Sequence, residues 1–259
     1  MNWRWVITRG ISEVSAIARR YSKPRKGLRI LLYHAIGTQT KDDPKNLFCL
    51  SPQLFEKHMA ELSCQGNSVA LPLSNVSSIK QMEGVAITFD DGYKDNLSVA
   101  APILEKYKIP FTVFATTSYV RKGSFPFLNE SELRSLSENQ LVTIGSHGVT
   151  HNPLTDCGDR ELKNELDSSK HYLEDLTGKE ISMISYPHGC VDKRVRAAVE
   201  KAGYTLGASS CFDINGYGQD MLLLCRTFIL SSDSVRIFRQ KLHGDWDWYR
   251  WRQLPAHRP

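Results

Sequence analysis

Apolar residues in this chain gather into short runs, and most of the segments between the runs have helical periodicity. Seven runs read as strands: residues 29–35, 85–89, 111–116, 142–145, 182–186, 204–208 and 223–229. Four segments between them space their apolar residues as amphipathic helices do. Ser51-Pro52 opens the first with a capping hydroxyl and a proline in the first turn, and Phe55, Met59 and Leu62 continue it. The second covers 97–107, with Ile103 and Leu104 on its apolar face. The third covers 160–176, where Leu162, Leu166 and Leu173 recur and Gly178 supplies a stop. The fourth runs over 193–202 and ends at Gly203. Strands alternating with helices imply βα units and a largely parallel sheet. Seven such strands suggest an α/β barrel or a barrel-like sheet, which places its chemistry where strands run out into loops.

Two of those strand ends carry unusual residues. Ile87-Thr88-Phe89 runs directly into Asp90-Asp91-Gly92-Tyr93. Adjacent carboxylates repel unless a cation or hydrogen bonds compensate them, although Asp-Asp-Gly is also a good turn sequence. The strand at 142–145 leads into Ser146-His147-Gly148-Val149-Thr150-His151. The two histidines are four apart, so a helical turn would put both rings on one face. Two imidazoles and a carboxylate form a common ligand set for a catalytic divalent ion. A third string, Ser185-Tyr186-Pro187-His188-Gly189, follows the strand at 182–186 and reads as a rigid turn. Backbone N–H groups in such a turn can face a developing oxyanion.

Charge adds a boundary. The 259-residue chain has a formal net charge of +5. Residues 1–30 hold eight basic side chains against Glu13 alone, so they carry +7 and leave −2 on the rest. Residues 1–27 therefore read as a basic arm, 28–244 as the body that carries these strings, and 245–259 as an aromatic tail that packs on the body or meets a partner. On a helix, Ile7, Ile11, Val14 and Ile17 of the arm share a side. Residues 1–26 are thus a candidate for peripheral contact with an anionic membrane. The acidic balance of the body argues against a nucleic-acid partner. Arg4, Arg9, Glu13, Arg19 and Arg20 interrupt any signal-peptide core. No later run approaches the ~20 apolar residues that span a bilayer. The expected location is the cytoplasm, at most peripheral to the inner face of the membrane. None of the six cysteines forms a C-x-x-C pair, which fits reduced thiols better than a thiolate zinc site.

Taken together, the strings resemble the polysaccharide deacetylase family, also called carbohydrate esterase family 4. They correspond to its T-F-D-D-G motif at Thr88-Phe89-Asp90-Asp91-Gly92, its H-[ST]-x-x-H motif at His147-Gly148-Val149-Thr150-His151, and its proline-glycine loop at Tyr186-Pro187-His188-Gly189. The resemblance extends over residues 28–243. Leu31-Leu32-Tyr33-His34 and Leu50-Ser51-Pro52-Gln53-Leu54-Phe55 are similar to the front part of bacterial members acting on N-acetylglucosamine-containing glycans. It implies a distorted (β/α) barrel, usually seven-stranded. It also implies Asp90 as catalytic base, Asp91, His147 and His151 as ligands of one divalent metal, and the Tyr186 N–H as an oxyanion donor. The metal in the family is typically Zn2+, with Co2+ or Ni2+ accepted by some members.

Departures from the family pattern are also present. Gly148 stands where Ser or Thr is common, and Ser185 where arginine is common. Arg226 resembles an arginine that replaces the latter in some branches and would neutralise and orient Asp90. The late Leu-x-His that supplies the general acid is missing, since Leu242-His243-Gly244 has another form. His34 and His188 are the alternatives, and Tyr93, Pro187 and His188 are candidate substrate contacts. The implied reaction removes an N-acetyl group from an amino-sugar glycan or a lipid-linked sugar. The competing readings are an O-deacetylase or other C–N hydrolase on the same frame, or a catalytically silent glycan-binding domain.

Overall fold

The computed structural model describes residues 25–40, 43–64, 70–76 and 83–253. The helix read in the basic arm lies outside the described residues, as does the last part of the aromatic tail. Among the described residues no helix is long and apolar enough to cross a membrane.

The strands are β1 (Leu28–Tyr33), β2 (Ala35–Ile36), β3 (Cys49–Leu50), β4 (Gly84–Phe89), β5 (Phe111–Ala115), β6 (Val142–Ser146), β7 (Met183–Ser185), β8 (Leu206–Ala208) and β9 (Thr227–Phe228). Seven of them form one parallel sheet in the order β8-β7-β6-β5-β4-β1-β9. Its ends meet, because Ala208 of β8 bridges Leu224, just ahead of β9. The result is the distorted seven-stranded (β/α) barrel that the sequence implies. The strand read over 223–229 is reduced to this bridge and the two residues of β9. The short β2 and β3 pair separately beside the mouth, unforeseen in the sequence.

Strand alternation divides the apolar residues into two cores. Leu28 and Ile30 of β1, Ala86 of β4, Phe114 of β5, Met183 of β7 and Leu206 of β8 point inward and fill the barrel. Their neighbours Leu31, Tyr33, Ile87, Phe89, Val113 and Ile184 point outward beneath the helices. Each such side chain contributes roughly 1.5–3 kcal/mol when fully buried. Gly145 belongs to the inward set of β6, and a Cβ there would stand 2.5 Å from the Phe114 ring. The barrel is narrow enough at that level to require glycine opposite phenylalanine.

The helices are α1 (Pro52–Cys64), α2 (Ala101–Lys106), α3 (Thr117–Lys122), α4 (Glu130–Glu138), α5 (Asp159–Thr177), α6 (Lys193–Lys201) and α7 (Val235–His243). The segment read as one helix over 97–107 is split into a π-turn, Asn96–Ala100, followed by α2. Pro102 explains the split, since its ring and missing N–H disturb the i→i−4 ladder behind it. Helices α3, α4 and α7 were not anticipated. The signal for α4 was nevertheless local: Asn129 and Glu132 form a capping box.

Candidate active site

The same inward alternation that fills the barrel delivers Asp90, His147 and Ser185 to its mouth. Along β4 the inward series is Ala86, Thr88, Asp90, so Asp90 emerges at the top of the interior. It is buried, and Arg226 grips it with both arms: Nη1 donates to Oδ1 and Nη2 to Oδ2, each at 2.8 Å. Ser185 Oγ donates to Asp90 Oδ2 at 2.9 Å and accepts from Arg226 Nη2 at 2.8 Å. Arg226 Nε donates to the Ser209 carbonyl at 2.8 Å, which fixes the guanidinium plane. Burial pushes the Asp90 carboxyl up, but Arg226 and His147 outweigh it and hold it below the ordinary carboxylate range. The arginine that the family motif places before its proline is thus replaced by two residues. Ser185 occupies its position, and Arg226 supplies its charge from the segment leading into β9.

After Asp90 the chain turns sharply, with Asp91 at φ 71° and Gly92 at φ 79°. A non-glycine residue in the left-handed region is strained, and such strain persists only where the surroundings impose it. The turn aims Asp91 Oδ1 at two imidazoles, 3.4 Å from His147 Nε2 and 3.0 Å from His151 Nε2. His147 Nδ1 lies 2.8 Å from the Ser185 carbonyl. A carbonyl can only accept, so Nδ1 is the donor there, and Nε2 is the ring atom available to a metal. Asp91 Oδ1 is buried; burial pushes its carboxyl up, but the two imidazoles outweigh it and hold it well below the ordinary carboxylate range. One ligand atom from each of Asp91, His147 and His151 lies within 4.8 Å of the others. Two imidazoles and a buried carboxylate converging on one point are a ligand set for a divalent cation, and the donor set fits one.

His147 and His151 do not share a helical turn. They flank a loop in which Gly148 has φ 75° and His151 φ 69°. Glu165, reaching up from α5, holds that loop. Its carboxylate accepts from Val149 N at 2.6 Å, Thr150 N at 3.1 Å and Thr150 Oγ1 at 2.7 Å. A Cβ on Gly148 would lie 2.8 Å from Glu165 Oε2. Glycine therefore replaces the family's Ser or Thr because the backbone is left-handed and a carboxylate occupies the side-chain space.

The structure corrects two of the predicted roles. Tyr186 follows Ser185, so alternation turns it outward, into the core beneath the helices. Its N–H donates to the Ala208 carbonyl at 3.0 Å and its hydroxyl to the Leu222 carbonyl at 2.6 Å. The Tyr186 N–H is committed to the barrel wall and does not face the cavity. Pro187 is likewise buried, and it is absent from the cavity lining. His188, at φ 58°, does line the cavity, as do His34 and Tyr93.

His34 sits at the end of β1 with its ring 4.8 Å from that of Phe48. Its Nδ1 is buried without a hydrogen-bond partner. Burial pushes its pKa down, partly offset by Asp91 and Asp90. Asn96 Nδ2 donates to the His34 carbonyl at 3.0 Å, and Asp95 Oδ2 accepts from Ile36 N at 2.8 Å and Thr38 N at 3.0 Å. The Asp95-Asn96 pair therefore fixes the strand that presents the ring. The cavity has a volume of about 930 Å³ and contains Asp90, Asp91, His147, His151 and Arg226 together. Glu165 and Asp95 escaped the sequence reading because each acts through backbone atoms remote in the chain.

Comparison with known proteins agrees with this fold. A family model for polysaccharide deacetylases matches residues 79–207. YxkH of Bacillus subtilis, which bears the polysaccharide deacetylase name, is 30% identical over 193 residues, covering 73% of this chain and 66% of YxkH. A poly-beta-1,6-N-acetyl-D-glucosamine N-deacetylase of Staphylococcus aureus is 30% identical over 136 residues, covering 48% of this chain and 47% of that protein. The chain thus spans about two thirds of the first relative and about half of the second. Among solved structures, the Streptococcus pyogenes deacetylase PplD in complex with acetate superposes with a TM-score of 0.73 at 26% identity, over 85% of this chain and 99% of that one. A polysaccharide deacetylase from Bacillus cereus gives a TM-score of 0.75 at 26% identity, over 84% of this chain and 69% of that one.

Proposed function

The chain belongs to the polysaccharide deacetylase family, and from that premise we propose that it hydrolyses the N-acetyl group of an amino-sugar glycan with Asp90 as general base. One observation carries this reading: a buried carboxylate, kept ionised by Arg226, stands directly beside the Asp91–His147–His151 cluster. Those three residues would hold one divalent ion, Zn2+ being the best match to two imidazoles and a carboxylate, with Co2+ and Ni2+ suited to the same donors. When bound, such an ion supplies a Lewis acid that lowers the pKa of water and polarises a carbonyl.

The protein's own groups supply the remainder. Asp90 takes a proton from the water that attacks the acetyl carbon. Arg226 and Ser185 aim the carboxylate and hold it in its base form before the proton arrives. The Tyr186 N–H is occupied and Pro187 has none, so the His188 N–H is the next donor along the loop for the developing oxyanion. His34 is the group that would hand the departing amine the proton Asp90 takes from the water, because its ring lines the cavity and its backbone is fixed by Asp95 and Asn96. The name of the staphylococcal relative makes β-1,6-linked N-acetylglucosamine the first glycan to test.

The test is acetate release from N-acetylglucosamine oligomers, alongside O-acetylated analogues, by chelated and zinc-reloaded protein. Asp90→Asn should keep the ion and lose about 10²–10⁴-fold in kcat. Near-normal turnover with the ion retained would assign the base to another residue. Release from O-acetyl esters alone would move the reaction to ester hydrolysis.

A further inference from the structure

We propose that the C-terminal segment, through Tyr249 and Arg252, forms a subsite for a sugar next to the one being deacetylated, so that the protein reads an oligomer. This rests on the deacetylase reading above. The segment is built into the barrel. The buried Asp247 carboxylate takes two hydrogen bonds from the buried guanidinium of Arg29 on β1, at 2.9 and 3.1 Å. Trp246 is buried in a small cluster with Phe212 and Ile237. The Gln253 amide fastens the far end, accepting from Phe212 N at 2.7 Å and donating to the Ser210 carbonyl at 2.9 Å. The segment therefore covers the seam where β8 and β9 approach each other.

From that position it becomes a wall of the catalytic cavity, which Tyr249, Arg252 and Gln253 all line. The Tyr249 ring is set by an edge contact with Phe228 at 5.6 Å and by Phe212 at 5.5 Å. The loops after β4 and β5, away from the seam in the strand order, contribute a second aromatic group. There Tyr119 stacks on Phe127 at 4.1 Å, and Phe127 lies 5.0 Å from Tyr93. The predicted ion ligands open into the same cavity. Pyranose rings have apolar C–H faces and hydroxyl edges, so an aromatic face combined with guanidinium and amide groups matches both. The volume of about 930 Å³ lies near the top of the ~300–1,000 Å³ that enclose drug-sized ligands, and one amino sugar leaves much of it unfilled. The family match ends at residue 207, so this wall lies outside the matched stretch.

The experiment measures kcat/KM by acetate release on β-1,6- and β-1,4-linked N-acetylglucosamine oligomers from dimer to hexamer. Wild type should improve about tenfold or more between dimer and tetramer. Tyr249→Ala and Arg252→Ala should flatten that rise, whereas Tyr249→Phe should preserve it. Because Tyr249 also packs on Phe212 and Phe228, the Phe variant separates lost stacking from lost folding. No length dependence in wild type, or variants that lower every length by the same factor, would overturn the subsite. If no oligomer releases acetate, the deacetylase reading fails. The subsite is then judged by titration calorimetry with the same oligomers, where equal affinity of wild type for dimer and hexamer counts against it.

Discussion

Arg226 is the residue on which the candidate base depends. Its pair with Asp90 is buried on both sides and hydrogen-bonded through both guanidinium arms. Removing one partner of such a pair typically costs about 3–5 kcal/mol, because it strands the other charge. Arg226→Met should therefore lower stability by that order, measured by chemical denaturation. It should also shift the pH profile. Arg226 helps hold the Asp90 carboxyl below its ordinary range, and without it burial pushes the carboxyl up. The base then stays protonated to higher pH, so the acid limb of kcat/KM moves upward while ion content is retained. An unmoved acid limb would mean that the limb reports some group other than Asp90. At this scale the sequence was most informative: Asp90, Asp91, His147 and His151 were all named from local strings and the resemblance they carry. Arg226 required the resemblance, and Glu165 gave no signal because its partners are backbone groups.

The loop between β6 and the following 3₁₀ turn determines whether the two histidines can act together. Their spacing suggested a helical turn, but a left-handed loop braced by Glu165 brings them together instead. Gly148→Ser would place a Cβ 2.8 Å from the Glu165 carboxylate and require φ 75° of a side-chain-bearing residue. Strain of this kind costs about 1–3 kcal/mol. Losing the support behind metal ligands typically lowers affinity about 10–100-fold. Chelator competition should find the zinc affinity of Gly148→Ser reduced by that factor, and affinity equal to wild type would show that the loop tolerates the change. The same alternation that aims Asp90, His147 and Ser185 inward turns Tyr186 outward. A reading of the strand ends as strings did not apply that constraint one residue further.

For the molecule as a whole, the packing of α1 against α7 sets a dependence on pH. His58 of α1 is fully buried, stacked on Phe238 at 4.2 Å, with Nε2 2.8 Å from the Asp233 carbonyl. Burial, aided by Lys241, pushes its pKa down to about 4. The unfolded chain binds this proton near pH 6.5, and the folded chain only near pH 4. Stability from this group is therefore complete above about pH 6.5 and falls as pH drops toward 4, by about 3 kcal/mol. Urea midpoints between pH 7 and 4 should decline in wild type and decline less in His58→Gln. Parallel curves for the two proteins would exclude His58 as the source.

The sequence by itself determined the alternation of the main strands with four of the helices, the barrel class and the four residues proposed for its chemical centre, because periodicity and short motifs are properties of neighbours in the chain. It also marked positions 148 and 185 as unusual without explaining either. Only the tertiary structure decided what compensates them. Glu165 occupies the space beside Gly148, and Arg226 reaches Asp90 from the segment before β9, where Ser185 completes the network. It also decided that the Tyr186 N–H belongs to the barrel wall and that Tyr249 and Arg252 border the cavity. These outcomes depend on which residues face one another when the sheet closes on itself. Closure joins positions far apart in the chain, and no local pattern of apolar and polar residues specifies those pairings.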